Sequence, residues 1–114
     1  NNRRREIANR YQKELAGLGF VLPTVPDGTE PVWHLYVICC DDRDGLQARL
    51  NEVGITTLIH YPIPPHMQQA YADMGMKSGD YPIAEKMARE VLSIPIGPQM
   101  DNAQIDAVIA NIRQ

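Results

Sequence analysis

The sequence predicts an α+β fold: a small, mostly antiparallel sheet of three or four strands with helices packed on one face. Three observations lead there. Segments with apolar residues at three-and-four spacing alternate with short runs rich in β-branched and aromatic side chains. Several connections between these runs are short and irregular, unlike the regular crossovers of a parallel sheet. The hydrophobic fraction, 44%, is ordinary for a globular chain. A chain of 114 residues can bury roughly two-thirds of its unfolded surface, enough for one core. A single domain over residues 1–114 is therefore expected.

The first helix is expected from about Asn2 to Leu18. Ile7, Ala8, Tyr11, Leu15 and Leu18 repeat there at helical spacing, and Gly17 or Gly19 marks the end. Phe20 to Leu22 reads as a brief extended segment before Pro23. PTVPDGTEP is a turn-rich loop, tightest at Asp27-Gly28. Trp33 to Cys40, apolar on both faces, reads as a central strand.

Asp41, Asp42 and Asp44 open the next helix, where carboxylates cap free amides and meet the positive end of the dipole. Leu46, Leu50 and Val53 form its expected buried stripe, with Gly54 as the left-handed residue past its end. Ile55 to Tyr61 is a second core strand. It stops at Pro62, Pro64 and Pro65, which fix φ and donate no hydrogen bond. A short helical run follows from Met67 to Tyr71, then a turn from Gly75 to Asp80. Asp80 and Pro82 start a third main helix, with Ile83, Met87 and Val91 lining one side and Ala84 and Ala88 permitting close approach. Ser93 to Ile96 reads as a strand. In the last helix Asp101 is the N-cap and Gln104 completes a capping box. Met100 and Ile105 form a staple, and Ile105, Val108, Ile109 and Ile112 form the apolar stripe.

Net charge −3 and a pI near 5.5 argue against nucleic acid, and Arg3, Arg4 and Arg5 read as a solvated helix face. No apolar stretch approaches the ~18 residues of a membrane span. Cys39 and Cys40 are neighbours on a strand, so their side chains diverge and a disulfide between them is not expected. Free thiols suit a reducing compartment, and a cytoplasmic location is the expectation. The sequence opens in helix, without an initiator Met or a signal peptide, as expected of a piece cut from a longer protein.

The chemistry concentrates in Thr56 to Tyr71. His60 and Tyr61 stand at a strand end before a stiff proline segment, a good place to present side chains to a ligand. Capping the edge of the core is the other reading of the same two residues. Neither His60 with His66 nor the adjacent cysteines has the tight pairing of zinc ligands. Nothing sets Cys39 or Cys40 in an electropositive, exposed place, so a Cys–His nucleophile is not expected. His34, between Trp33 and Leu35, reads as a core or interface histidine. Trp33, Tyr36 and Tyr11 read as packing. The isolated Gly75, Gly79 and Gly97 make no phosphate loop.

RRREIANRYQKEL, VWHLYVI, LNEVGITTLIHYPIPPHMQQAY, GDYPIAEKMAREVLSIPI and DNAQIDAVI cover nearly the whole chain in order. Together they resemble the C-terminal small domain of the DegT/DnrJ/StrS-type sugar-nucleotide aminotransferases. The most specific part is HYP-x-P-x-H-x-Q-x-AY followed by GD-x-P-x-AE. The resemblance implies a fold-type-I, pyridoxal-phosphate-dependent enzyme with a large cofactor domain, a small domain and a homodimer with shared active sites. It further implies amination of a keto sugar nucleotide in polysaccharide, lipopolysaccharide or aminosugar biosynthesis. The chain would then be the small domain, with the cofactor bound by a missing N-terminal domain.

None of Lys13, Lys77 or Lys86 stands in the family's Schiff-base context. The resemblance carries substrate binding over to His60 and Tyr61, with His66 and Gln68 as part of the segment's architecture. Cys39 and Gly97 stand where the family often has a basic residue and an aromatic or histidine. A sugar dehydratase of the same family, or a stand-alone α+β ligand-binding or dimerisation module, fits the residues as well. A domain taken from a two-domain dimer should leave apolar area exposed, expected along Ile7 and Tyr11 and near Tyr61 to Ile63.

Overall fold

The computed structural model describes residues 2–59, 67–68, 74–75 and 79–114. In chain order they form α1 (Asn2–Glu14), β1 (Tyr36–Cys39), α2 (Arg43–Glu52), α3 (Pro82–Glu90), β2 (Val91–Ile94) and α4 (Asn102–Ile112). β1 and β2 pair antiparallel, with Tyr36 opposite Ile94, Val37 opposite Ser93, Ile38 opposite Leu92 and Cys39 opposite Val91. Single antiparallel bridges widen the sheet on both sides, Val21 to Cys39 and Leu58 to Ser93. Each exchanges both amide bonds, at 2.9 and 3.0 Å for the first and 2.8 and 3.1 Å for the second. Among the described residues the expected three or four strands are two full strands flanked by two one-residue bridges, all antiparallel.

The strands are shorter than expected for local reasons. Trp33 has φ +54°, a left-handed conformation that an extended strand cannot contain, so β1 begins only at Tyr36. Pro95 has no N–H to offer, and β2 ends before it.

Residues directly opposite share a face, so Tyr36, Ile38, Leu92 and Ile94 point to one side. That side joins Ile7, Tyr11 and Leu15 from α1, Leu46 and Leu50 from α2, and the Ile105, Val108, Ile109, Ile112 stripe of α4 in one core. Each fully buried aliphatic side chain is worth roughly 1.5–3 kcal/mol. Helices α1, α2 and α4 therefore cover a single face, as the sequence predicts.

Helix ends follow the sequence closely. The Asp42 side chain accepts from the Gly45 amide at 3.3 Å. Past α2, Gly54 adopts φ +82°; Ile55 N–H donates to Leu50 O at 2.9 Å and Gly54 N–H to Asn51 O at 3.0 Å. That pair of bonds is a Schellman cap, with Leu50 and Ile55 supplying its hydrophobic contact at the core. Asp101 accepts from Gln104 N–H at 2.8 Å while Gln104 Oε1 accepts from Asp101 N–H at 2.9 Å, the predicted capping box. Arg3, expected in solvent, forks onto Met100 O at 2.7 and 3.1 Å and ties α1 to this cap.

Other expectations are corrected. Helix α1 stops at Glu14, and Leu18 is exposed. Val53 is the C-cap of α2 and lies in solvent, while Arg43 is buried at the other end of that helix. Ile7 and Tyr11 are wholly buried, so α1 contributes no open apolar face; Tyr61 to Ile63 lie outside the described residues. On helix α3 two of the expected lining residues turn outward: Ile83 and Met87 are 77% and 52% exposed and Glu85 is buried, while Val91 and the close-packed Ala88 are buried as expected. Its rotation is fixed at both ends. Glu90 runs into Val91 without a loop, and the Glu85 carboxylate is tied to the turn before the helix.

Candidate functional site

His60, Tyr61 and His66 lie outside the described residues, and Gln68 is half-buried. The structure does describe the frame on either side of them. Leading in, Ile55 and Ile59 pack against the core and Thr57 is buried, while Thr56 and Leu58 face solvent. That alternation is the period of a strand with one covered side. Thr57 Oγ1 accepts from Gln47 Nε2 at 3.1 Å, so its hydroxyl is satisfied by α2. The Leu58–Ser93 bridge runs antiparallel to β2 and aims the chain at the end of the sheet where Cys39 pairs with Val91.

The chain returns through Gly79 to Pro82. Gly79 has φ +91°, a conformation glycine adopts without steric cost. Its amide donates to both Glu85 oxygens, at 2.8 and 3.0 Å, and the Tyr81 amide donates to Glu85 Oε2 at 3.4 Å. Pro82 occupies the first turn of α3, where its missing N–H costs nothing. Asp80 is not the N-cap; Tyr81 is, and it has no side-chain cap bond. The GDYPIAE string therefore has a physical meaning: glycine makes the turn, proline starts the helix, and Glu85 closes the turn onto it.

A second clamp holds the junction of α3 and β2. Arg43 Nη1 donates to Ala88 O at 2.9 Å and Val91 O at 3.1 Å, and its Nε donates to Asp44 Oδ1 at 2.7 Å. Sequence reasoning missed this residue. One signal was present: a cation in the first turn of a helix opposes the dipole, so something else must hold it there.

The second sheet face carries Val37, Cys39, Val91 and Ser93, with exposed Val21 and Leu58 at its margins. Both thiols on this stretch are unpaired and pushed above the ordinary cysteine range, chiefly by burial. The Glu90 charge adds to the rise at Cys39, against a lowering by Lys86. Neither thiol is poised as a nucleophile. Of the two places expected for His34, core or interface, the structure excludes the core: His34 is exposed, next to the left-handed turn at Trp33. With Leu35, Thr56, Leu58 and Ser93 it lines a cavity of about 160 Å³. A Cβ at Gly97 would lie 2.5 Å from Gln99 Oε1, so the Gln99 carboxamide fills the space a larger residue at 97 would take.

The aromatic residues pack, as expected. Tyr11 and Tyr36 pack as tilted rings 5.0 Å apart between centroids, and Trp33 and Tyr36 likewise at 5.3 Å. Among the described residues no group of three or more His, Cys, Asp or Glu could hold a metal. Lys13 and Lys86 are exposed on α1 and α3, and Lys77 lies outside the described residues. The described residues thus supply no buried amine of the kind a Schiff-base cofactor requires. No helix among them is long and apolar enough to cross a membrane.

A family model described as the DegT/DnrJ/EryC1/StrS aminotransferase family matches residues 1–113. The chain is 46% identical over 114 residues to the erythromycin biosynthesis sensory transduction protein EryC1 of Saccharopolyspora erythraea, covering 99% of this chain and 31% of that protein. It is 44% identical over 115 residues to the dTDP-3-amino-3,4,6-trideoxy-alpha-D-glucose transaminase of Streptomyces venezuelae, covering 100% of this chain and 30% of that one. The crystal structure of S. venezuelae DesV in complex with a ketimine intermediate superposes with a TM-score of 0.94 at 44% identity, over 98% of this chain and 30% of that chain. The chain therefore spans about a third of the length of these relatives.

Proposed function

The chain belongs to the DegT/DnrJ/EryC1/StrS aminotransferase family, and on that premise we propose that it is the C-terminal small domain of a sugar-nucleotide aminotransferase. The parent enzyme would use pyridoxal phosphate to transfer an amino group to a keto sugar nucleotide. The observation that carries this reading is the match over residues 1–113, in a fold that superposes on a related structure at a TM-score of 0.94. When bound, pyridoxal phosphate supplies the electron sink for the transfer. We assign it to the remainder of the parent protein, where the family resemblance puts the Schiff-base lysine; Lys13 and Lys86 are exposed here.

This chain's part is to bind and orient the sugar nucleotide. His60 and Tyr61 are its contact residues, neutral groups suited to sugar hydroxyls and phosphate oxygens. The exposed Val21 and Leu58 at the sheet margins would help keep water out of a cleft between domains. The parent would be a cytoplasmic homodimer with shared active sites, working in lipopolysaccharide, polysaccharide or aminosugar biosynthesis. The unpaired Cys39 and Cys40 support the reducing compartment.

The test is the full-length protein with pyridoxal phosphate, an amino-acid donor and dTDP- or UDP-linked keto sugars, with the product identified by mass. An aminated sugar is expected. A deoxygenated sugar would reassign the protein to the dehydratases, and a full-length protein that takes up no cofactor would leave a binding or dimerisation module. The 114-residue chain alone should show no visible cofactor band that borohydride fixes to Lys13, Lys77 or Lys86.

A further inference from the structure

We infer that the outward face of helix α3, carrying Ile83 and Met87, is the surface on which the rest of the parent polypeptide docks. The inference rests on the reading of this chain as one domain of a longer enzyme. Its first support is the inversion of α3. Among the described helices, α3 separates apolar from polar residues most sharply. An amphipathic helix ordinarily turns its apolar stripe to the core. Here the stripe turns away: Ile83 and Met87, one turn apart, are 77% and 52% exposed, and the Glu85 carboxylate is buried instead.

Specific polar contacts hold that orientation. Glu85 accepts the Gly79 amide with both oxygens, Arg43 donates to the Ala88 and Val91 carbonyls, and Glu90 runs directly into Val91. A helix fixed this way leaves an apolar stripe that only a further layer, outside the helix, can cover. The patch continues past the helix end. Cys40 N–H donates to Glu90 O at 3.0 Å, which sets the end of α3 against the end of β1. There Cys39 bridges to Val21, which is 66% exposed.

Chain length selects the occupant. The same fold, at a TM-score of 0.94, makes up 30% of the S. venezuelae DesV chain, so the larger part of that chain lies outside it. A second copy is the other candidate. Stable association of separate chains needs on the order of 800 Å² per partner, about 20–30 residues a side. Ile83, Met87 and Val21 do not make a surface of that size. They suffice for a domain on the same polypeptide, because the covalent link supplies a high effective concentration.

The experiment uses the full-length protein with photoreactive p-benzoylphenylalanine in place of Ile83. Illumination should give a cross-link that runs at monomer mass on a denaturing gel and maps to a peptide outside residues 1–114. A covalent dimer would give the face to a second copy, and a cross-link confined to residues 1–114, or none, would leave it in solvent; each overturns the inference. In the unsubstituted protein, peroxide should oxidise Met87 at least about tenfold more slowly than in urea, and slowing of less than about twofold would overturn the inference too. Ile83→Glu should lower the Tm of the full-length protein by several degrees while Ile83→Leu leaves it unchanged; the same Tm in both variants and the wild type would refute docking at this face. These readouts need no substrate. A parent that aminates no keto sugar nucleotide would therefore sink the proposed function alone, and the cross-link would still decide the docking face.

Discussion

The hydroxyl of Tyr11 donates to the carbonyl of Pro95 at 2.5 Å, joining the first helix to the residue at which the sheet ends. The neighbouring Tyr36 hydroxyl is equally buried and has no partner among the described residues. The two rings lie 5.0 Å apart in one core, so they make a controlled comparison. Tyr11→Phe leaves a buried carbonyl unpaired and should cost about 1–3 kcal/mol. Tyr36→Phe removes an unsatisfied hydroxyl and should be neutral or stabilising. Urea denaturation of the two variants checks this, and equal losses would refute it.

The same pair predicts a pH dependence. Burial pushes the Tyr36 hydroxyl up to about 12 and the Tyr11 hydroxyl higher still. The folded state thus holds both phenols neutral, while in the unfolded chain they ionise from about pH 10. Their contribution is complete below pH ~10 and is lost as pH rises toward and through the folded values. The denaturation midpoint should fall above pH ~10, and fall less steeply in the double Phe variant.

Arg43 should matter far more than its ion pair. Arg43→Ala leaves the Ala88 and Val91 carbonyls without their donor, at roughly 1–3 kcal/mol for each. Asp44→Ala should cost no more than about 0.5–1 kcal/mol, since that carboxylate stands in solvent. Thermal melts of the two variants that coincide would show that the salt bridge, not the carbonyl clamp, holds the junction.

Helix α3 can be tested through its unexpected face. Ile83→Glu and Met87→Glu should each shift the stability of this chain by no more than about 0.5 kcal/mol, because both side chains are already in water. Ala88→Leu, on the buried side, should cost about 1–3 kcal/mol by overpacking. The reverse ranking in chemical denaturation would mean that the helix is rotated as its sequence suggests.

In the full-length enzyme, His60→Ala and Tyr61→Phe should each lower sugar-nucleotide kcat/KM by about threefold to tenfold, the loss of one neutral hydrogen bond of about 0.5–1.5 kcal/mol. Cofactor absorbance should be normal in both, and the melting temperature of Tyr61→Phe nearly unchanged. Full activity combined with several degrees of lost stability would make these residues caps of the core edge.

Local chemistry made much of this protein legible from sequence. The Asp101–Gln104 box, the Gly54 cap, the Asp42 N-cap and the α4 stripe each depend on residues within one or two turns of each other, and each stands as the pattern implies. The antiparallel α+β arrangement followed from the same signals, and the family resemblance came from motifs spread along the whole chain. What sequence could not supply was the rotation of elements fixed by distant partners. Periodicity gave α3 a side with Ile83 and Met87, but its direct run into β2 and the reach of Glu85 to Gly79 turned that side to solvent. Likewise the sequence reading passed over Arg43, whose role exists only once folding brings the Ala88 and Val91 carbonyls to its guanidinium. The left-handed Trp33 stands beside an exposed His34, which removes the core from the two places expected for that histidine. For Glu85 and Arg43 the deciding partners were backbone groups, which carry the same donors and acceptors whatever the side chain, so only the tertiary arrangement could select among them.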